Sequence, residues 1–261
     1  MKVITIGNEK GGVGKTTTAV NLSSWLAARG RRVLLIDIDA QGNATRGLDQ
    51  QKSAGIYDLL ARRMAWQSIL IPIPREVFTM KGKETHAGEL FLVPSNVETR
   101  NIAETISDVF RLKKRLNEVR TIFDVVIIDT SPTPSLLDSM VYMATDYVIY
   151  PTKCEEWSLE GLDDTIEHVV EASEVQQKQV GGEIQHMMIL PTMFRGNTVG
   201  HTYALEKLQE RYGDLVFEPI HERTAWVDAA FLKEPIYVFE PSGNAKHEFE
   251  PVVDTVERML G

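Results

Sequence analysis

The sequence predicts an α/β fold of three layers, in which a mostly parallel, twisted sheet carries helices on both of its faces. Short apolar runs rich in β-branched residues alternate along the chain with longer segments of helical periodicity. Strands that are separated by helices need crossover connections, which set neighbouring strands parallel and pack the helices against the sheet. No linker-like, repetitive or low-complexity stretch interrupts the alternation, so residues 1–261 are expected to form one domain.

Apolar runs indicate the strands, and segments of helical spacing indicate the helices. Strands are expected at residues 2–8, 31–39, 89–95, 123–132, 146–152 and 186–194. The run at 31–39 is continuous and ends in acids, which is typical of a parallel strand buried on both faces. Helices are expected at residues 16–29, 55–66, 97–119, 158–178, 198–212 and 244–259. Residues 72–89 contain prolines and glycines that indicate an irregular or hairpin-like excursion.

A glycine-rich turn, NEKGGVGKTT, follows the first strand and leads into the first helix. Glycines let backbone N–H groups turn inward around a phosphate, and the helix adds the positive end of its dipole. The predicted phosphate-binding residues are Lys10, Gly11, Gly12, Val13, Gly14, Lys15, Thr16 and Thr17. Lys15 is expected to reach the β- and γ-phosphate oxygens, and the Thr16 hydroxyl is expected to ligate Mg²⁺. A purely structural glycine turn with solvated lysines is the alternative.

Acidic residues end two of the predicted strands. Asp37 and Asp39 close the second strand, and Asp129 closes the fourth. Because the carboxyl ends of parallel strands share one edge of the sheet, we expect all three acids to converge on the glycine-rich turn. A carboxylate there can hold Mg²⁺, and one beside a γ-phosphate can orient the attacking water. Alternatively, each acid caps the helix that follows its strand.

Two long stretches, residues 10–45 and 123–162, resemble the ParA/Soj partition ATPases, which belong to a larger family with MinD and the nitrogenase iron protein. The last third of the chain is similar to this family more weakly. The resemblance implies a P-loop NTPase fold and Mg²⁺-dependent hydrolysis of ATP to ADP and phosphate. It also implies the roles of two acids: Asp39 positions the attacking water, and Asp129 belongs, with Thr16 and Asp39, to the magnesium site.

The family also accounts for an unusual feature of the phosphate loop. The ordinary loop has a glycine where this chain has Glu9, whereas the family shares the variant K-G-G-x-x-K-[ST] that begins here at Lys10. The resemblance implies a homodimer that traps two ATP molecules, in which Lys10 of each subunit contacts the phosphates of the other. A cation supplied in trans offsets repulsion between two triphosphates and makes dimerisation depend on ATP. The alternative for Lys10 is a solvated loop lysine.

Some positions depart from the family pattern. Ala40 stands where the family often has proline, and Thr130 to Thr133 read T-S-P-T where C/A-P-P-S is common. Neither change removes a charged group that the chemistry needs. An arginine that contributes to DNA binding in relatives aligns with Asn197, two residues after Arg195.

Other branches of the larger family fit the sequence less well than the short, Soj-like form. The single cysteine, Cys154, cannot supply the two cysteines per chain that iron proteins need, nor a disulfide framework. The acidic C-terminal segment is unlike a basic membrane-binding helix. The phosphate loop begins almost at once, so no N-terminal helix-turn-helix domain is expected.

The charge of the chain limits how it can bind DNA. A net charge of −9 gives no bulk attraction to nucleic acid, so binding needs a local basic patch. The candidate cations are Arg195, Lys207, Arg211 and Arg223, with Lys233 and Lys246 as further members. A second basic cluster at 111–120 is interpreted as the solvated face of a helix.

The resemblance implies a function in plasmid or chromosome partition. The ATP-loaded dimer would bind DNA non-specifically until a ParB-like centromere-binding protein stimulates hydrolysis. The alternative is a positioning or regulatory ATPase that acts on protein cargo without binding DNA, and an ATP-dependent ligase or kinase is a third possibility. No uncharged run is long enough to span a bilayer, and the N-terminus lacks a signal sequence. A cytoplasmic, nucleoid-associated protein without membrane contact is therefore expected.

Overall fold

A computed structural model describes residues 1–80, 82, 87–132, 136–180 and 183–261. The described residues form a seven-stranded sheet in the order β3-β4-β2-β5-β1-β6-β7. Its strands are β1 (Lys2–Ile6), β2 (Arg32–Asp37), β3 (Ile71–Ile73), β4 (Glu89–Val93), β5 (Val125–Asp129), β6 (Tyr147–Lys153) and β7 (His186–Thr192). All neighbouring pairs are parallel except β3 and β4. The predicted α/β class with a mostly parallel sheet is therefore confirmed.

Helices connect the strands and cover the sheet. They are α1 (Lys15–Ala28), α2 (Asn43–Gly47), α3 (Ile56–Leu60), α4 (Arg75–Phe78), α5 (Ile102–Thr105), α6 (Arg111–Asn117), α7 (Leu136–Tyr142), α8 (Glu156–Val180), α9 (Val199–Tyr212), α10 (Thr224–Leu232), α11 (Ile236–Phe239) and α12 (Asn244–Leu260). None of the helices within the described residues has a stretch long and apolar enough to cross a membrane.

Alternate residues of the central strands belong to two different hydrophobic clusters, one on each face of the sheet. In β2, Val33 and Leu35 pack with the cluster that contains α1 and α12, whereas Leu34 and Ile36 pack with the cluster that contains α3, α6 and α7. Successive side chains of a strand point to opposite faces, so a strand that is covered on both faces must be apolar throughout. This is the physical reason for the continuous apolar run in the sequence.

The expected helix at 97–119 is wrong, because the chain is broken there. A 3₁₀ turn (Val97–Asn101) and α5 are followed by a break in which Ile106 is extended, with φ −127° and ψ 119°. Asp108 lies in the turn that precedes α6: its Oδ1 accepts the N–H of Phe110 at 3.1 Å, and its Oδ2 lies 2.9 Å from Lys114 Nζ. A short acidic side chain that binds nearby backbone N–H groups favours a helix start over a helix interior.

The excursion expected at 72–89 is hairpin-like, one of the two alternatives that the sequence predicts, and it also contains a short helix that the sequence does not predict. Strand β3 pairs antiparallel with β4 at the outer edge of the sheet, and Pro72 lies in it opposite Phe91. Helix α4 follows directly. Residues 81 and 83–86 of the excursion, and residues 133–135 after β5, lie outside the described residues.

Candidate functional site

The glycine-rich turn connects β1 to α1 at the carboxyl edge of the sheet. Gly12 and Gly14 have φ values of +69° and +91°, in the left-handed region that glycine enters without steric cost. The Asn8 side chain anchors the start of the turn: its Nδ2 donates to Pro151 O at 2.7 Å, and its Oδ1 accepts from Lys10 N at 2.7 Å. Sequence reasoning does not identify Asn8. The turn thus has a fixed backbone whose N–H groups can receive a phosphate.

Lys15 lies inside this turn, where its ammonium group is nearly buried. Its Nζ donates to the backbone carbonyl of Lys10 at 2.8 Å, and the residue is 7% exposed. Burial lowers the pKa of Lys15, and the nearby carboxylates of Asp129 and Asp39 partly oppose that shift. A phosphate oxygen in the turn would offer this ammonium group a charged acceptor in place of a neutral carbonyl.

Asp129 and Thr16 form the part of the site that fits a magnesium ion. Thr16 Oγ1 donates to Asp129 Oδ2 at 2.8 Å, while the fully buried Asp129 Oδ1 has no hydrogen-bond partner among the described residues. Burial raises the pKa of Asp129 well above its ordinary value, Asp37 adds to the rise, and the bond from Thr16 opposes it. A buried carboxylate with a vacant oxygen is stabilised by a cation, and a hydroxyl with one or two carboxylates suits Mg²⁺.

Asp39 lies in the same cavity as the phosphate loop. This cavity has a volume of about 360 Å³, and its walls include Gly11, Gly12, Lys15, Thr16 and Asp39. Its other described lining residues include Gly14, Thr17, Gln41, Asn43, Thr130, Pro132 and Met193. The N–H of Gln41 donates to Asp39 Oδ1 at 2.8 Å and so fixes the direction of the carboxylate. We call this space the phosphate cavity.

Asp37 does not lie in the phosphate cavity, although the sequence predicts three converging acids. It is fully buried, and its Oδ2 accepts both the N–H and the hydroxyl of Thr45, at 2.8 and 2.7 Å. Its Oδ1 accepts the N–H of Asp39 at 3.1 Å. Burial raises the pKa of Asp37 to about 6 despite these bonds. Asp37 therefore holds α2 and the Asp39 loop in place, and it is not among the residues that line the phosphate cavity.

Val13 contributes its backbone to the site and not its side chain. The side chain is 1% exposed, and the carbonyl accepts Thr192 Oγ1 at 2.9 Å. This bond ties the phosphate loop to the end of β7. Thr17, on the first turn of α1, lines both the phosphate cavity and a neighbouring one.

The neighbouring cavity was not predicted from the sequence. It measures about 160 Å³, is mostly apolar, and shares Gly14, Thr17 and Met193 with the phosphate cavity. Trp226 forms part of its wall, with its ring centroid 5.8 Å from that of Phe249 at an angle of 73°. We call this space the apolar cavity. It is assembled from β7, α10 and α12, which lie far apart in sequence, so no local pattern marks it.

The predicted DNA-contacting cations do not form one uncompensated patch. Three of them are paired with carboxylates: Arg195 with Glu222, Lys207 with Glu210, and Arg223 with Glu248. Arg211 lies with its guanidinium 5.5 Å from the ring centroid of Tyr212. Lys207 and Arg211 share α9, Arg195 follows β7, and Arg223 lines the apolar cavity. The further candidates Lys233 and Lys246 pair with Asp49 and Glu250.

The second basic cluster has a structural role in part. Arg115 donates to the carbonyl of Met64 at 2.6 Å and lies over the Trp66 ring, and Arg111 donates to the carbonyl of Leu60 at 3.2 Å. These two side chains therefore tie α6 to the end of α3 and to the segment that follows it.

Comparison with known proteins places the site in context. A family model described as an AAA domain matches residues 1–181. The chain is 33% identical over 248 residues to the sporulation initiation inhibitor protein Soj of Bacillus subtilis (strain 168), covering 92% of each chain. It is 31% identical to the chromosome-partitioning ATPase Soj of Treponema pallidum (strain Nichols), covering 88% of this chain and 86% of that one. A plasmid partition protein from Borrelia burgdorferi superposes with a TM-score of 0.75 at 25% identity, covering 99% of this chain and 98% of that one.

Proposed function

The chain belongs to the ParA/Soj family of partition ATPases, with ATP and Mg²⁺ as its cofactors, and we propose that ATP assembles two copies into a face-to-face dimer that binds DNA without sequence preference. In the proposed cycle, a ParB-like centromere-binding protein stimulates slow hydrolysis and so releases the dimer from DNA. The observation that carries the proposal is the position of Lys10: a second lysine lies at the surface beside a phosphate cavity that already contains Lys15.

The phosphate cavity supplies the groups that phosphoryl transfer needs. Lys15 would exchange the Lys10 carbonyl for β- and γ-phosphate oxygens, and Thr16 and Asp129 would hold Mg²⁺. The metal ion supplies positive charge that neutralises the phosphate oxygens. The backbone N–H groups of Gly11 to Thr17 would cradle the phosphates, and the N-terminus of α1 adds its dipole.

Asp39 is the proposed water-positioning residue and a further member of the magnesium site. It is 9% exposed and faces the cavity that contains Lys15 and Thr16. The bond from the Gln41 N–H holds its carboxylate in one orientation, so a water molecule would be oriented without reorganisation of the protein.

The apolar cavity is the proposed site of the adenine base. It adjoins the phosphate cavity through Gly14 and Thr17, and the Trp226 ring offers an aromatic wall. Arg223 also lines this cavity, which favours a role near the nucleotide for a residue that the sequence assigns to DNA.

DNA binding would then depend on Arg195, Lys207 and Arg211. Because Glu222 and Glu210 pair with Arg195 and Lys207, each dimer would make few phosphate contacts, so DNA binding should be weak and should depend only shallowly on salt. The same pairing, together with the net charge of −9, favours a second candidate function: an ATPase that positions protein cargo without binding DNA. A location in the cytoplasm, at the nucleoid, follows from the first candidate only.

A dimerisation assay tests the proposal. Analytical ultracentrifugation should show a wild-type dimer with Mg²⁺ and the analogue AMPPNP, and a monomer for Lys10→Gln. Lys178→Gln is the matched control, because Lys178 is an exposed lysine that lies 3.4 Å from an acid, Glu174. A Lys10→Gln protein that dimerises and hydrolyses ATP as the wild type does would refute the proposal.

A gel shift separates the two candidate functions. Random duplex DNA should be retarded only with ATP and Mg²⁺ at low salt, and Arg195→Glu with Lys207→Glu should abolish the shift. Absence of any wild-type shift at 50 mM salt would leave the cargo-positioning function as the correct one.

A further inference from the structure

Lys10 forms an ion pair within its own subunit. This ion pair would have to break before Lys10 could contact the phosphates of a facing subunit. Its Nζ lies 3.5 Å from Glu155 Oε2, and the two side chains are 42% and 46% exposed. Lys10 follows β1 and Glu155 follows β6, two strands that pair in parallel with Ile6 opposite Ile149. The partners of the ion pair therefore lie beyond the ends of neighbouring strands.

Hydrogen bonds to the backbone on both sides of the ion pair fix the positions of Lys10 and Glu155. Asn8 bridges the two strand ends, because it donates to Pro151 O and accepts from Lys10 N, each at 2.7 Å. On the other side, the N–H of Glu155 donates to Lys153 O at 2.9 Å and closes a tight turn. The fold, and not a chance meeting of two long side chains, thus brings the Lys10 ammonium group to the Glu155 carboxylate.

A third contact connects Lys10 to nucleotide binding. The buried ammonium group of Lys15 donates to the backbone carbonyl of Lys10 at 2.8 Å. ATP phosphate oxygens would compete for the same ammonium group, and a charged acceptor forms the stronger hydrogen bond. When Lys15 turns to the phosphates, the Lys10 backbone loses one of the bonds that hold it beside Glu155.

We propose that Glu155 is a positioning residue that retains Lys10 in its own subunit, and that ATP loosens this hold through Lys15. Lys10 then reaches the phosphates of a facing subunit only after its own site has been filled. This inference rests on the proposed role of Lys10 in the dimer, and adds a reason for monomers to persist without ATP.

The size of the effect follows from the exposure of the pair. An exposed ion pair of this kind changes an equilibrium constant by about two- to five-fold. Two such pairs must open when a dimer forms, one in each subunit, so the factors multiply. Removing Glu155 should therefore lower the dimer dissociation constant by about four- to twenty-five-fold at low salt.

The variant Glu155→Gln removes the charge and keeps the shape of the side chain. With Mg²⁺ and AMPPNP, analytical ultracentrifugation should give a dissociation constant lower by the stated factor, and dimers at nucleotide concentrations where the wild type is monomeric. The advantage over the wild type should fall towards one in 0.5 M NaCl, because salt screens an exposed pair. The control is Glu174→Gln, which breaks the exposed pair with Lys178 at 3.4 Å and should leave dimerisation unchanged.

Two results would overturn the inference. Unchanged dimerisation of Glu155→Gln would show that the pair does not restrain Lys10, and weakened dimerisation would show that Glu155 holds Lys10 in its competent position instead.

Lys10→Gln separates this failure from that of the proposed function. If Lys10→Gln stays monomeric while Glu155→Gln behaves as the wild type, only the restraint is refuted. If Lys10→Gln dimerises normally, the role of Lys10 in trans is refuted first. The double variant should match Lys10→Gln.

Discussion

Replacement of Asp129 by asparagine tests whether this carboxylate binds a metal ion or is only a structural acid at the end of a strand. The side chain is fully buried, one oxygen lacks a partner among the described residues, and Asp37 lies opposite it on β2. Lys15 offsets this concentration of negative charge only in part. The neutral asparagine side chain removes one of these negative charges, so Asp129→Asn should raise the free energy of unfolding of the nucleotide-free protein by about 1–3 kcal/mol. This net gain already allows for a loss of about 1 kcal/mol of stability, which arises because the Thr16 hydroxyl then donates to a neutral oxygen and not to a carboxylate.

Thermal unfolding measures both parts of this prediction. For a chain of this size 1 kcal/mol corresponds to about 2–4 °C, so the nucleotide-free Asp129→Asn protein should melt about 2–12 °C above the wild type. With Mg²⁺ present, AMPPNP at one hundred times its own Kd should stabilise the wild type by about 2.7 kcal/mol. The variant should lose the part of this stabilisation that depends on Mg²⁺. Asp37→Asn is the buried control and should keep that share, because Asp37 lies outside the phosphate cavity.

The opposite pattern would refute the reasoning. An Asp129→Asn protein that melts below the wild type, yet gains the full Mg²⁺-dependent shift, would mean that Asp129 is a structural acid. The vacant oxygen would then have no relation to a metal ion.

Three further outcomes are expected. Burial raises the folded pKa of Asp37 from its ordinary 3.8 to about 6, so stability should fall by on the order of 3 kcal/mol as the pH rises from below 4 through 6. Urea titrations at pH 4 and pH 7 measure the fall, and Asp37→Asn should reduce it without removing it, because the pKa of Asp129 is raised as well. Gly12→Ala should cost about 1–2 kcal/mol, because φ is +69° there, and equal melting temperatures would count against that strain. Trp226→Ala should raise the KM for ATP about ten-fold with little change in kcat; an unchanged KM would remove the base from the apolar cavity.

The sheet and the phosphate loop could be predicted from the sequence because each depends on residues close together in the chain. The continuous apolar run of β2 indicates burial on both faces, and the glycines that allow positive φ lie within three residues of each other. In contrast, the break in the expected helix at 97–119 includes Asp108, whose side chain accepts the backbone N–H of Phe110 and so competes with helix continuation. Helical spacing alone carries no information about that competition.

The remaining parts of the site arise from contacts between distant segments. The pair of Lys10 with Glu155 joins residues 145 positions apart, and its formation depends on β1 lying next to β6. Asp37 and Asp39 are alike in sequence, yet only Asp39 reaches the phosphate cavity, because Thr45 captures the Asp37 carboxylate. Asp37 is the last residue of β2 and Asp39 lies in the loop beyond it, so contacts with Thr45 and with the loop backbone, and not the spacing of the two acids, determine their different roles.

The outermost strand bears on how copies of this protein can associate. β3 has only three residues, and its central Pro72 has no N–H to offer. Proline in sheets is confined to edges and bulges, and a short edge that contains it is a poor template for a strand from another molecule. Fibril-like growth by addition of strands beyond β3 is thus disfavoured.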